Sequence, residues 1–262
     1  MKAYYCLRSH IGLHRRVNQD NFLVDGRYMD PRRGDEGASF GGSFCGMPQL
    51  TGVFDGMGGE EQGEIAAYLA ARDFSEKERS RLSGDELIRL CRQVNRGICG
   101  YAQRTGVFAM GTTAALLYMD GRRFTVCNVG DSRVYRFSKG RLEKLSVDHV
   151  AAGSAGMKPP LLQNLGIPED MFLIEPTIVK ASPKGGDVFL LCTDGLTDMV
   201  GEEETARILS EHSLNEAADL LLEAALGHGG RDNVTLLLIS VEKNSFFSRL
   251  ADRRGGRNEQ YS

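Results

Sequence analysis

The sequence predicts an α+β fold in which antiparallel sheets carry helices on their outer faces. Three observations lead there. Short apolar or alternating runs, rich in β-branched and aromatic residues, come in groups. Two pairs of helical segments interrupt them without the regular alternation of a parallel sheet. Tight-turn dipeptides join several of the runs.

Taken in order, residues 3–8 (AYYCLR), 20–24 (DNFLV) and 51–54 (TGVF) read as strands. The stretch 27–50 is glycine-rich, lacks a period and reads as a surface loop. A helix is expected from Glu60 to about Phe74, with Ile65 and Leu69 four apart. Between Gly84 and Gly106 the apolar residues Leu87, Leu90, Cys91, Val94, Ile98 and Tyr101 step by three and four, and Ser83 with Glu86 forms a capping box. Runs at 113–119, 123–129, 133–137 and 141–145 are joined by Asp120-Gly121, Gly130-Asp131-Ser132 and Lys139-Gly140, which suits an antiparallel meander. Residues 150–170 read as an irregular excursion, and 187–192 and 234–241 as late strands. Two more helices are expected at 202–211 and 215–226, with a Ser213/Glu216 capping box and Gly227 as the stop. Residues 1–243 form one catalytic domain in this reading, and 244–262 a basic, flexible tail.

Composition removes several function classes. The 262 residues are 41% hydrophobic, enough for a packed core and too much for a disordered chain. A formal charge of −3 lacks the basic excess of a general nucleic-acid binder. No apolar run approaches the ~18 residues of a membrane span, and no signal-peptide core is present. The six cysteines include no C-x-x-C pair, and Cys6, Cys127 and Cys192 sit in apolar strand runs as small hydrophobes. A reducing, cytoplasmic setting is expected.

Four Asp-Gly pairs then separate into two kinds. Asp25-Gly26 and Asp120-Gly121 read as hairpin turns. Asp55 and Asp194 instead end apolar strands, each followed by glycine and a helical pattern. Asp131 follows TVCNVG, Asp232 precedes VTLLLISV, and Asp20 opens DNFLV. Clustered and unpaired, five such carboxylates would repel one another and hold raised pKa values; divalent cations reverse that cost. Oxygen-only donors, with none of the five histidines among them, select Mg²⁺ or Mn²⁺ over zinc or copper. The glycine turn Gly56-Met57-Gly58-Gly59 fails both nucleotide patterns, since Glu61 stands at the third glycine of one and Glu64 at the lysine of the other.

These residues resemble the metal-dependent serine/threonine protein phosphatases of type 2C in their compact bacterial form. The resemblance rests on six stretches in the family's order: Arg15-Arg16-Val17-Asn18-Gln19-Asp20-Asn21, Val53 to Gly59, Gly111-Thr112-Thr113-Ala114, Asn128 to Tyr135, Cys192 to Asp198, and Gly230 to Thr235. It implies a four-layer α-β-β-α sandwich with two central antiparallel sheets, and a two-metal centre at one edge. By position, Asp20, Asp55, Asp194 and Asp232 would serve that centre, with Asp55 bridging the metals and Gly56 offering its backbone carbonyl. Asp131 with Asp194 would hold a third, weaker Mn²⁺ or Mg²⁺, and Arg15 would clamp phosphate. The implied reaction is in-line attack of a metal-bridged water on phosphoserine or phosphothreonine proteins, opposite a cognate serine/threonine kinase; a monomer is expected.

Three departures accompany the resemblance. Met57 stands where larger members carry a proton-donating histidine, and Gln19 replaces an acidic residue. The flap after Asp148-His149, from Val150 to Pro176, is short, which predicts a more open cleft. The alternative reading is a silent phosphoprotein-binding signalling module on the same fold; such modules lose metal aspartates, and none is lost here.

Overall fold

The computed structural model describes residues 2–34, 37–57, 62–107, 109–152 and 159–242. The tail at 244–262, residues 58–61 of the glycine turn and residues 153–158 of the flap run lie outside the described residues. Strands β1 (Ala3–His10), β3 (Ala38–Ser43), β8 (Arg133–Ser138), β9 (Arg141–Lys144), β11 (Val188–Cys192) and β12 (Val234–Val241) form one antiparallel sheet, ordered β3-β1-β12-β11-β8-β9. Strands β2 (Asp20–Leu23), β4 (Gln49–Met57), β6 (Ala114–Met119), β7 (Phe124–Val129) and β10 (Thr177–Ala181) form the second, ordered β10-β7-β6-β4-β2. A short β5 (Gly111–Thr112) pairs with the end of β4.

Period-two alternation gives each sheet an apolar inner face, and the two faces close on one another through Leu7, Phe22, Val53, Leu117, Leu191 and Leu237. Helices α1 (Gly63–Ser75) and α2 (Gly84–Thr105) bury their apolar stripes on the outside of the second sheet, where Phe74 stacks on Phe54 at 5.7 Å. Helices α3 (Asp194–Thr197), α4 (Glu202–Glu211) and α5 (Leu214–Gly227) cover the first. The result is the four-layer sandwich expected. Both capping boxes form, Ser83 with Glu86 and Ser213 with Glu216.

Several expectations need correction. Residues 113–145 are not one meander: β6–β7 is a hairpin of one sheet, β8–β9 a hairpin of the other, and Gly130-Asp131-Ser132 carries the chain across. Asp55 does not end its strand, because β4 continues to Met57 and pairs with β5. The loop at 27–50 contains edge strand β3, whose ASFGGS sequence has little to bury and is held by its ladder with β1. Helix α5 includes Gly227, and the left-handed residues that end it are Gly229 and Gly230. Arg8 of β1 is 4% exposed and pairs with Asp219 of α5 at 2.6 Å.

Candidate active site

Toward one end of the sandwich the inward-facing positions turn polar, strand by strand. Stepping by two, Leu7 gives way to Ser9, Phe22 to Asp20, Val53 to Asp55, Leu191 to Thr193 and Leu237 to Thr235. The sheets therefore present an apolar core over most of their length and a polar mouth at this end. Buried polar groups must find partners, and here they find one another. Thr193 Oγ1 donates to Asp20 Oδ2 at 2.8 Å, the Thr235 amide donates to Thr193 Oγ1 at 3.0 Å, and Ser9 and Thr235 share a hydroxyl bond of 2.8 Å.

In front of this layer lies a cleft of about 280 Å³ lined by Arg15, Asp55, Gly56, Asp131, Asp194 and Asp232, with Gln19, Met57, Pro159 and Leu161 completing its walls. Four chain segments thus deliver carboxylates to one place. Asp55 comes from inside β4, Asp131 from the crossover between sheets, Asp194 from the first turn of α3, and Asp232 from the residues before β12. Gly56 is required by close approach: a Cβ there would collide with the Gly63 and Gln19 carbonyls.

Asp20 stands behind the cleft and does not line it. It is the direct ladder partner of Asp55 and 2% exposed. Burial pushes its carboxyl up to about 7; hydrogen bonds from Thr193 and Thr235 and the charge of Arg15 pull it down, while Asp232 raises it. Arg15 reaches the cleft from the loop between β1 and β2, and its Nη2 lies 2.7 Å from Asp232 Oδ2. Pro159 and Leu161, from the run between Val150 and Pro176, reach the cleft wall.

The donor set suits a hard cation. It contains carboxylate and carbonyl oxygens, with no histidine or cysteine among the cleft residues. Among the described residues no three acidic, His or Cys side chains converge on one point. The carboxylates share a cleft instead, an arrangement that matches Mg²⁺-like ions, which keep several waters and take few protein ligands each.

Two further residues organise this site, and sequence reasoning assigned neither a role. Asn233 is 4% exposed, and its side chain bonds three backbone groups of the Arg15 loop: Nδ2 donates to the Ile11 and Val17 carbonyls at 2.8 and 3.0 Å, and Oδ1 accepts from the Gln19 amide at 2.9 Å. Asn95 of α2, fully buried, does the same for the flap. It accepts from the Gly166 and Ile167 amides at 2.7 and 3.1 Å and donates to the Ile167 carbonyl at 2.8 Å. An asparagine next to a cleft aspartate was visible in the sequence; its three partners, more than two hundred residues away, were not.

Comparison with known proteins assigns this arrangement to a class. The family model described as stage II sporulation protein E (SpoIIE) matches residues 52–242. The chain belongs to the SpoIIE/PP2C-type phosphatase family. It is 35% identical over 215 residues to the serine/threonine phosphatase stp of Listeria welshimeri, covering 73% of this chain and 83% of that protein. It is 28% identical over 255 residues to the serine/threonine protein phosphatase PstP of Mycobacterium tuberculosis, covering 90% of this chain and 45% of that longer protein. The crystal structure of the M. tuberculosis phosphatase PstP/Ppp superposes with a TM-score of 0.76 at 26% identity, over 92% of this chain and 100% of that one. The catalytic domain of PstP in complex with two manganese ions gives 0.74 at 26% identity, over 93% and 100%.

Proposed function

We infer that this chain is a metal-dependent serine/threonine protein phosphatase whose cleft holds Mn²⁺ or Mg²⁺ and whose substrates are phosphoserine and phosphothreonine proteins. The observation that carries the reading is the meeting of Asp55, Asp131, Asp194, Asp232, Gly56 and Arg15 in one cleft of a PP2C-type fold. Asp55, Asp194 and Asp232 would hold two cations with the Gly56 carbonyl, Asp20 would support them from behind, and Asp131 with Asp194 would hold a third. When bound, such cations lower the pKa of a shared water and neutralise charge on the phosphoryl oxygens.

The chain's own residues account for the rest. The ion pair with Asp232 keeps the Arg15 guanidinium at the cleft mouth, where its planar fork can take two phosphate oxygens. Met57 has no proton to give, so another residue or a water in the cleft would protonate the leaving alcohol. Cytoplasmic location, a monomeric state, a cognate serine/threonine kinase and a catalytic domain over 1–243 with a basic tail belong to the same proposal.

The test is turnover of a phosphothreonine peptide in Mn²⁺ by Asp55→Asn and Asp194→Ala. Loss of turnover in both, with the fold intact by circular dichroism, is expected. Undiminished turnover in both would remove the reading, and wild-type binding of the peptide without turnover would favour the silent module.

A further inference from the structure

Thr113 lies opposite Asp55 in the break between β5 and β6, and the ladder there is irregular. The Thr113 amide donates to the Asp55 carbonyl at 2.9 Å, as a hydrogen-bonded antiparallel pair requires. The return bond goes elsewhere. The Asp55 amide donates to Thr113 Oγ1 at 2.9 Å, while the Thr113 carbonyl accepts the Thr112 hydroxyl at 3.0 Å. A side-chain oxygen therefore stands in for a backbone acceptor at the strand position that carries Asp55.

The same Oγ1 lies 2.6 Å from the hydroxyl of Ser132, the residue after Asp131. Both Thr113 and Ser132 are fully buried. Gly130 seats the crossover on this side chain: its φ is +96°, and a Cβ there would come within 2.6 Å of Thr113 Cγ2. One hydroxyl thus touches the backbone of Asp55 in one sheet and the turn that presents Asp131 between sheets.

We propose that Thr113 is a positioning residue, whose hydroxyl fixes Asp55 and Asp131 relative to each other and so sets how tightly the cleft binds divalent cations. The proposal rests on the reading of the cleft as a cation site. Groups that orient metal ligands from behind typically contribute about 10–100-fold in affinity. Valine keeps the shape of threonine and lacks the hydroxyl; serine keeps the hydroxyl.

The experiment titrates Mn²⁺ into the full chain without substrate and follows the rise in melting temperature. Thr113→Val is expected to need at least about tenfold more Mn²⁺ to reach the same rise in melting temperature as wild type. Thr113→Ser should titrate close to wild type, and Ser132→Ala, which keeps the Asp55 amide bond, should fall between. If Thr113→Val does not fold, the serine and Ser132→Ala variants carry the test. A Thr113→Val or Ser132→Ala protein that titrates like wild type, or a Thr113→Ser protein that fails badly, would overturn the proposal. A wild-type protein with no Mn²⁺ shift would instead contradict the cation site itself.

Discussion

Replacing Asn233 with alanine should loosen the loop that carries Arg15 while leaving the cleft carboxylates in place. The substitution removes three hydrogen bonds, to Ile11, Val17 and Gln19. It keeps the bond from the Asn233 amide to Asp232 Oδ1 at 2.8 Å, because that donor is backbone. At about 1 kcal/mol for each hydrogen bond the gross loss is ~3 kcal/mol. Arg15 and its neighbours are exposed, so water can recover part of it, leaving ~2 kcal/mol against the ordered loop. That is a factor of about thirty in the ratio of ordered to disordered loop, and the same factor is the ceiling on lost kcat/KM through this route. The assay is kcat/KM on a phosphothreonine peptide, paired with limited trypsin digestion, since Arg15 and Arg16 lie in the loop. A fall of up to about 30-fold, mostly in KM, with new cleavage after Arg15 or Arg16, is the expected outcome. Unchanged kcat/KM with unchanged resistance to trypsin would refute the clamp.

Other consequences are open to direct measurement. Arg15→Ala should raise KM for phosphopeptide yet alter stability by less than about 0.5 kcal/mol in urea, because the ion pair with Asp232 is solvent-exposed; a large stability loss would show a structural role instead. Asn95→Ala should free the flap, seen as faster proteolysis and faster amide exchange at residues 165–167 while the sheets stay protected; uniform exchange would contradict local anchoring. His149 is half-buried, which pushes its pKa down, and its Nδ1 accepts the Gly130 amide at 3.1 Å, so the neutral ring is the one that fits. Its contribution is therefore present above the unfolded pKa near 6.5 and lost as pH falls below it. Asp20, whose carboxyl is pushed up to about 7, works in the opposite direction over the same range, so the His149 share is read as a difference. Between about pH 7.5 and 5.5 His149→Gln should lose less melting temperature, or gain more, than wild type, and an identical slope in the variant would exclude this group.

Much of this architecture can be read in the chain before it folds. Strands such as FTVCNV and VTLLLISV announce themselves as unbroken β-prone runs because they are buried on both faces, and the helix from Gly84 does so because burial of one stripe imposes a period of three and four. Strand β3 does not, because an edge strand needs only its backbone to pair. The crossover at Gly130-Asp131-Ser132 looked like another hairpin because a short turn and a step between sheets use the same residues; only long-range pairing separates them. The four cleft aspartates, and Asp20 behind them, were legible as carboxylates at the mouths of apolar strands, where a turn or cap alone would not need five of them. Asn233, Asn95 and Thr113 were illegible for the opposite reason. Each acts through bonds to distant backbone or buried hydroxyls, and sequence spacing carries no trace of such partners.

The most direct test of the central claim is phosphate release from a phosphothreonine peptide by the full chain, with Mn²⁺ present and with a chelator in excess. Turnover that requires Mn²⁺, disappears with chelator and returns when the metal is restored is the predicted result. Equal release with and without chelator would contradict a cation-dependent phosphatase.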